Sequence, residues 1–110
     1  MKLPNGDRAF IDMAKLRDYS LSPHHPEGKH KARVFQATLD LGPADAEWLR
    51  DELLKAAANL SCETGRLTAH GQRYTIDFTV SRHGKTARPR SAWIARPDEQ
   101  FPRLVSCYVL

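Results

Sequence analysis

The hydrophobic pattern of this chain changes period partway along, and that change dictates its architecture. Up to about residue 58 the apolar residues recur every three or four positions. From Arg66 onward they recur every second one: Tyr74, Ile76, Phe78 and Val80 alternate with Thr75, Asp77, Thr79 and Ser81. A 3.6-residue period puts one face of a helix against a core, whereas a period of two does so only for a strand. The chain is therefore expected to be α+β, with N-terminal helices followed by a three- to four-stranded antiparallel sheet. Short connections favour antiparallel pairing of successive strands. With 110 residues there is material for one core, so 1–110 reads as a single domain, helical over 1–58 and sheet over 66–110.

Local signals place the elements. Leu3-Pro4-Asn5-Gly6-Asp7 is turn chemistry. Asp12 is expected to cap a short helix over Met13–Tyr19, with Leu16 and Tyr19 facing inward, and Ser22-Pro23 and Pro26 to force a loop. A second helix over Lys29–Leu39 would bury Ala32, Phe35 and Leu39 and turn His30, Arg33 and Ala37 outward. Gly42 ends it and Pro43 opens a third, about Ala44–Ala58, whose inner face is Ala46, Leu49, Leu53, Ala56 and Ala57. His83-Gly84-Lys85 reads as a hairpin turn, with further strands over 90–96 and 103–109.

The formal charge is +4 and it is segregated. Asp45, Glu47, Asp51 and Glu52 gather on the third helix, Lys29, Lys31 and Arg33 on the second, and Arg82, Lys85, Arg88, Arg90 and Arg96 around the later strands. A one-sided cationic surface suits a polyanion. No apolar run reaches the roughly 20 residues of a membrane span, and no signal-peptide core follows Met1. The expected location is cytoplasmic, or a target cell reached as part of a larger protein. Cys62 and Cys107 make neither a disulfide framework nor a zinc knuckle, and Cys107 reads as a small buried hydrophobe. His24, His25 and His30 lack Cys or Asp partners at ligand spacing, so no metal and no cofactor is expected. Phosphate-binding glycine loops, dinucleotide fingerprints, nucleophile elbows and carboxylate pairs are missing, which argues against nucleotide-dependent, serine-hydrolase and glycosidase chemistry.

Residues 23–35 hold the densest chemistry: three of the five histidines, with Lys29, Lys31 and Arg33, where a loop becomes a helix. Cleaving RNA without a metal requires proton transfer at the 2′-hydroxyl and the leaving 5′-oxygen, and cations facing the phosphate. His30 suits the proton role, with Lys31 and Arg33 on the phosphate; these three are the expected catalytic residues. Lys29, Arg90, Arg96 and Tyr108 are the expected substrate-binding residues, with Arg103, Ser91 and Ser106 as further donors. His24 and His25 are weaker candidates. Trp93 and Tyr74 read as core, Arg73 and Arg82 as solvated charges.

Three stretches carry a resemblance: Leu3-Pro4-Asn5-Gly6-Asp7-Arg8-Ala9, His25-Pro26-Glu27-Gly28-Lys29-His30-Lys31-Ala32-Arg33-Val34-Phe35, and Pro102-Arg103-Leu104-Val105-Ser106-Cys107-Tyr108. Together they resemble an uncharacterised bacterial domain that occurs alone and at the C-terminal tips of toxin- or phage-associated proteins. The layout is also similar to the ribonuclease toxin group of barnase, EndoU, the tRNA-cutting colicins and RelE, with its N-terminal helices, four-stranded antiparallel sheet and metal-independent cleavage. What the resemblance implies is a small toxin that cuts tRNA or mRNA and is neutralised by an acidic antitoxin or immunity protein. The alternative is a non-catalytic protein-binding module: an antitoxin, immunity protein or phage adaptor.

Overall fold

After a 3₁₀ turn over Gly6–Arg8, the first α-helix starts at Asp12, whose carboxylate accepts the Ala14 N–H at 3.0 Å. The computed structural model describes residues 1–110. Helix α1 spans only Met13–Lys15 and widens at once into a π-helical turn over Leu16–Ser20, closed by the Leu21 N–H on the Leu16 carbonyl at 2.8 Å. The wider turn keeps Leu16 buried but leaves Tyr19 only half-buried, where a regular helix would have faced it inward. Helix α2 occupies Lys29–Leu39 and stops at Asp40, which adopts a left-handed conformation (φ 54°). A 3₁₀ turn, Pro43–Asp45, leads into α3, Ala46–Asn59. Both helices bury the faces read from the sequence: Ala32, Phe35 and Leu39, then Ala46, Leu49, Leu53, Ala56 and Ala57.

The strands are β1 (Glu63–Thr68), β2 (Gly71–Asp77), β3 (Val80–Arg82), β4 (Lys85–Ala87), β5 (Pro89–Ala95) and β6 (Pro102–Val109). Four of them form an antiparallel sheet in the order β1-β2-β5-β6. The other two, β3 and β4, make a separate hairpin that turns at His83 and Gly84, both with positive φ, as a tight hairpin demands. The architecture is thus α+β with antiparallel sheets, and no helix is long and apolar enough to cross a membrane.

Helices and sheet share one core around Trp93, Phe35 and the leucines of α3. On the sheet's inner face the rows are Tyr74–Trp93–Leu104 and Ile76–Ser91–Cys107. Ser91 lies at the bottom of that core rather than at a binding surface. Its hydroxyl donates to the Ile76 carbonyl and accepts from the Trp93 indole, both at 2.9 Å, so it has nothing left for a phosphate.

A bulge in β6 decides what the outer face carries. Ala92 pairs with Ser106 but Trp93 with Leu104, which leaves Val105 as the extra residue. Strict alternation would put Leu104, Ser106 and Tyr108 on one face. The bulge instead sends Cys107 inward with Leu104 and sets Ser106 and Tyr108 outward, where they complete the rows Thr75–Ala92–Ser106 and Asp77–Arg90–Tyr108.

Arg82 is not the solvated charge its position near a strand end suggests. Its guanidinium donates to the Leu39 and Asp40 carbonyls at 3.0 and 2.6 Å and to Asp45 at 2.9 Å, with Trp48 beneath it at 5.2 Å. It caps α2 and ties the β3–β4 hairpin to the start of α3. Arg82→Met should therefore lower stability by about 2 kcal/mol, since several charge-assisted bonds to half-buried acceptors go at once. The check is the urea midpoint, which should fall with the slope unchanged.

Candidate functional site

Strand β6 lies at the edge of the sheet, and only its beginning is paired on the outer side. Phe10 bonds it there: the Phe10 N–H to the Pro102 carbonyl at 2.9 Å and the Leu104 N–H to the Phe10 carbonyl at 3.0 Å. Past that bridge the strand is flanked by the π-helical turn, the 21–28 loop and α2. Between them runs a groove of about 610 Å³ whose walls include Tyr19, His25, Lys31 and Ser106, with Asp12 and Asp18 at its lip.

The loop fixes His25 firmly. No Ser, Thr, Asp or Asn precedes α2 to cap it, and the residue at that position is Gly28. The acceptor comes from upstream: the His25 Nδ1 takes the N–H groups of Glu27 and Gly28 at 3.0 and 2.9 Å, and its carbonyl takes the Lys29 N–H at 3.0 Å. With Nδ1 acting as acceptor, the neutral ring carries its proton on Nε2. Tyr19 meets the ring edge-on, the centroids 4.6 Å apart. Gly28 is required where α2 crosses the π-helical turn, because a Cβ there would sit 2.1 Å from the Tyr19 carbonyl oxygen.

Lys31 projects from the first turn of α2 between two aromatic faces. Its amine lies 4.9 Å from the Tyr19 ring centre and 5.6 Å from that of Tyr108. It is half-buried, yet it makes no ion pair and no hydrogen bond with the protein. Beneath it, Cys107 is fully buried, and burial pushes its thiol up to about 12, so it is no nucleophile.

On the far side of Lys31 a shallow cavity of about 270 Å³ is bordered by His30, Val34 and Tyr108, and Lys31 lines this one too. The His30 ring is exposed and free of hydrogen bonds. Thus Lys31 has a histidine on each side, one fixed and one free. Arg33 is not part of this arrangement. It opens with Lys29 onto another groove of about 470 Å³, beside Leu21, Gln36 and Pro43.

The sheet cations differ in availability. Arg90 is held by Asp77 in a two-point pair at 2.8 and 2.9 Å, which keeps that carboxyl below and the guanidinium above the usual range. Tyr108 is the cross-strand neighbour of Arg90, so the two lie side by side on the outer face. Arg96 lies farther along, 3.9 Å from Glu99 and away from Lys31. Of the residues expected from sequence, then, His30, Lys31 and Tyr108 come together, Arg90 adjoins them, and Arg33, Lys29 and Arg96 stand apart. Tyr19 and the posture of His25 were missed. The signal for His25 was the empty cap position before Lys29, which demanded an acceptor nearby. No three His, Cys, Asp or Glu side chains are grouped to hold a metal ion.

The family model described as Domain of unknown function (DUF6883) covers residues 2–110. No curated protein matches the chain.

Proposed function

We propose that this chain, which belongs to the DUF6883 family, binds RNA in the groove beside β6 and cleaves it without a metal. The observation that carries the reading is the Lys31 amine, half-buried, without a carboxylate partner, and lying between two tyrosine rings with a histidine to either side. No carboxylate lies within ion-pair distance of that amine, so its charge is available to an anion from outside. A phosphodiester supplies one and leaves the two imidazoles next to its oxygens.

The roles follow from the hydrogen bonds already present. His25 has no free lone pair in its neutral form and acts as a donor, its Nε2–H joining the Lys31 ammonium on the non-bridging phosphate oxygens. His30, unengaged, takes the proton of the 2′-hydroxyl. The 2′-oxygen attacks phosphorus, the bond to the 5′-oxygen breaks, and that oxygen takes a proton from water. The products are a 2′,3′-cyclic phosphate and a 5′-hydroxyl. Arg90 and Tyr108 border the attacking side from the sheet.

In a cell such an activity is that of a small toxin, and Lys15 and Lys31, which line the groove without ion-pair partners, are what an acidic antitoxin or immunity protein would meet there. The test is incubation of the pure protein with total RNA and tRNA in EDTA, followed by end-group analysis. Fragments with cyclic phosphate and 5′-hydroxyl ends are expected; intact RNA at every protein concentration overturns the reading. One feature favours the alternative of a protein-binding module: the outer strand β1 is exposed along nearly its whole length and carries Leu67 at 72% exposure. That module would leave RNA uncut and be harmless when expressed alone.

A further inference from the structure

Beyond the cleavage groove, and sharing Lys15, Leu104 and Val105 with it, lies a second basin of about 630 Å³. Its floor is apolar, formed by Ile94, Leu104 and Val105, and its walls carry Lys15, His70, Arg73 and Arg96. The two basins form one trough along the outer side of β6.

Charge in this basin is only partly spent. Glu99 is taken up by Arg103, with an N–O distance of 3.0 Å for one arm, and this pairing holds the Glu99 carboxyl below its usual range. Arg96 reaches the same carboxylate only at 3.9 Å. Arg73 and Lys15 have no carboxylate within ion-pair distance, and Asp98 is the one acid that lines the basin. Arg73, Ile94 and Arg103 form a single cross-strand row, so β-sheet register rather than flexible side-chain placement sets their spacing.

A second, separate feature lies beside it. The Arg103 guanidinium stacks 4.7 Å from the Phe10 ring and 5.4 Å from Phe101, and the two rings are 6.0 Å apart. Phe10 is 43% exposed, an aromatic face left open next to a cationic trough. Cations that follow a backbone together with an open aromatic platform are what a single-stranded nucleic acid uses.

From these features we infer that the basin of Lys15, Arg73 and Arg96, with the Phe10–Arg103 stack, is a second nucleotide subsite, so that the substrate is an extended single strand lying along β6. The inference rests on the proposed function for the direction of the strand but not for its binding. The subsite takes at least one phosphate beyond the one held by Lys31 and stacks the base next to it. A mononucleotide or dinucleotide fills one basin; a longer strand fills both.

The test uses an uncleavable probe, a fluorescent oligodeoxynucleotide of 12 residues beside one of two, titrated by anisotropy at several salt concentrations. The full chain should bind the longer probe at least tenfold more tightly. Arg73→Gln/Arg96→Gln should cancel that advantage and reduce the salt slope by about 1.4, the loss of two phosphate contacts to a single strand. Phe10→Ala should weaken the long probe without changing the slope, because stacking releases no counterions. Equal affinity for both probes, or a slope untouched by the double substitution, overturns the inference; so does a basin that binds only an acidic protein. If the long probe binds as expected while RNA stays intact in EDTA, the subsite stands and cleavage falls. If RNA is cut but length is immaterial, cleavage stands and the subsite falls.

Discussion

Replacing Lys31 by Met should lower RNA cleavage by ~10²–10³-fold, the usual cost of removing one preorganised donor from the developing charge of a transition state. Methionine keeps the stem that packs between the rings of Tyr19 and Tyr108, so the thermal midpoint should scarcely move. His30→Ala should cost on the order of 10²–10⁴-fold through loss of proton transfer. The double variant should be no worse than the poorer single one by more than a few-fold, because groups serving one transition state do not add. Single-turnover rates on a short RNA give all three numbers. Full activity in Lys31→Met would remove the amine from the mechanism and leave its lack of a partner unexplained.

The second large effect is expected at Gly28. A Cβ there would come within 2.1 Å of the Tyr19 carbonyl oxygen and 2.7 Å of its carbonyl carbon, both backbone atoms that no rotamer change can move. Gly28→Ala should cost ~2–3 kcal/mol by overpacking, and it should separate α2 from the π-helical turn. The same shift parts His25 from Tyr19 and opens the cradle around Lys31, so activity should fall even at temperatures where the variant is fully folded. Gly84→Ala is the control. Gly84 has a positive φ of 74° with nothing within 4 Å of its would-be Cβ, so the cost there is the left-handed strain alone, about 1 kcal/mol, with cleavage unchanged. Denaturant titration and a rate assay on both variants separate the two effects.

Much of the fold was legible because burial writes itself into periodicity. The inner faces of α2 and α3 and the alternation of Tyr74 and Ile76 are direct consequences of one side facing a core. Phe78 and Val80 are buried as that alternation expects, but the strand ends at Asp77 and Val80 opens the separate hairpin. Strand β1 escaped because neither face is buried: its residues Glu63 to Leu67 are all exposed, and an unburied strand leaves no alternation to read. Arg82 and Ser91 were misjudged for a related reason. Each is a polar side chain whose partners lie far away in the chain, Leu39 and Asp45 for one and Ile76 for the other. Spacing along the sequence carries no trace of such bonds.

The candidate site was legible in part. His30 and Lys31 could be placed because they sit on a helix whose phase is fixed by Phe35 and Leu39. Tyr108 was expected to approach them from the sheet, although the bulge at Val105 that turns it outward was not read. Tyr19 could not be placed, since its position depends on a π-helical turn, a one-residue departure from regular geometry. Arg33 shows the same limit from the other side. Three positions beyond His30 it shares a helix face in projection, yet the cavities on that face are separate.

Cys107 has a consequence of a different kind. The bulge that turns it inward leaves its sulfur with no accessible surface, and burial holds it as a thiol even in alkaline solution. Oxidants and alkylating reagents, which attack the thiolate, therefore reach it only when β6 leaves the sheet. Its labelling is timed by the protein's own opening rather than by the reagent, and the edge strand beside the groove thus carries a built-in clock for how often the sheet comes apart.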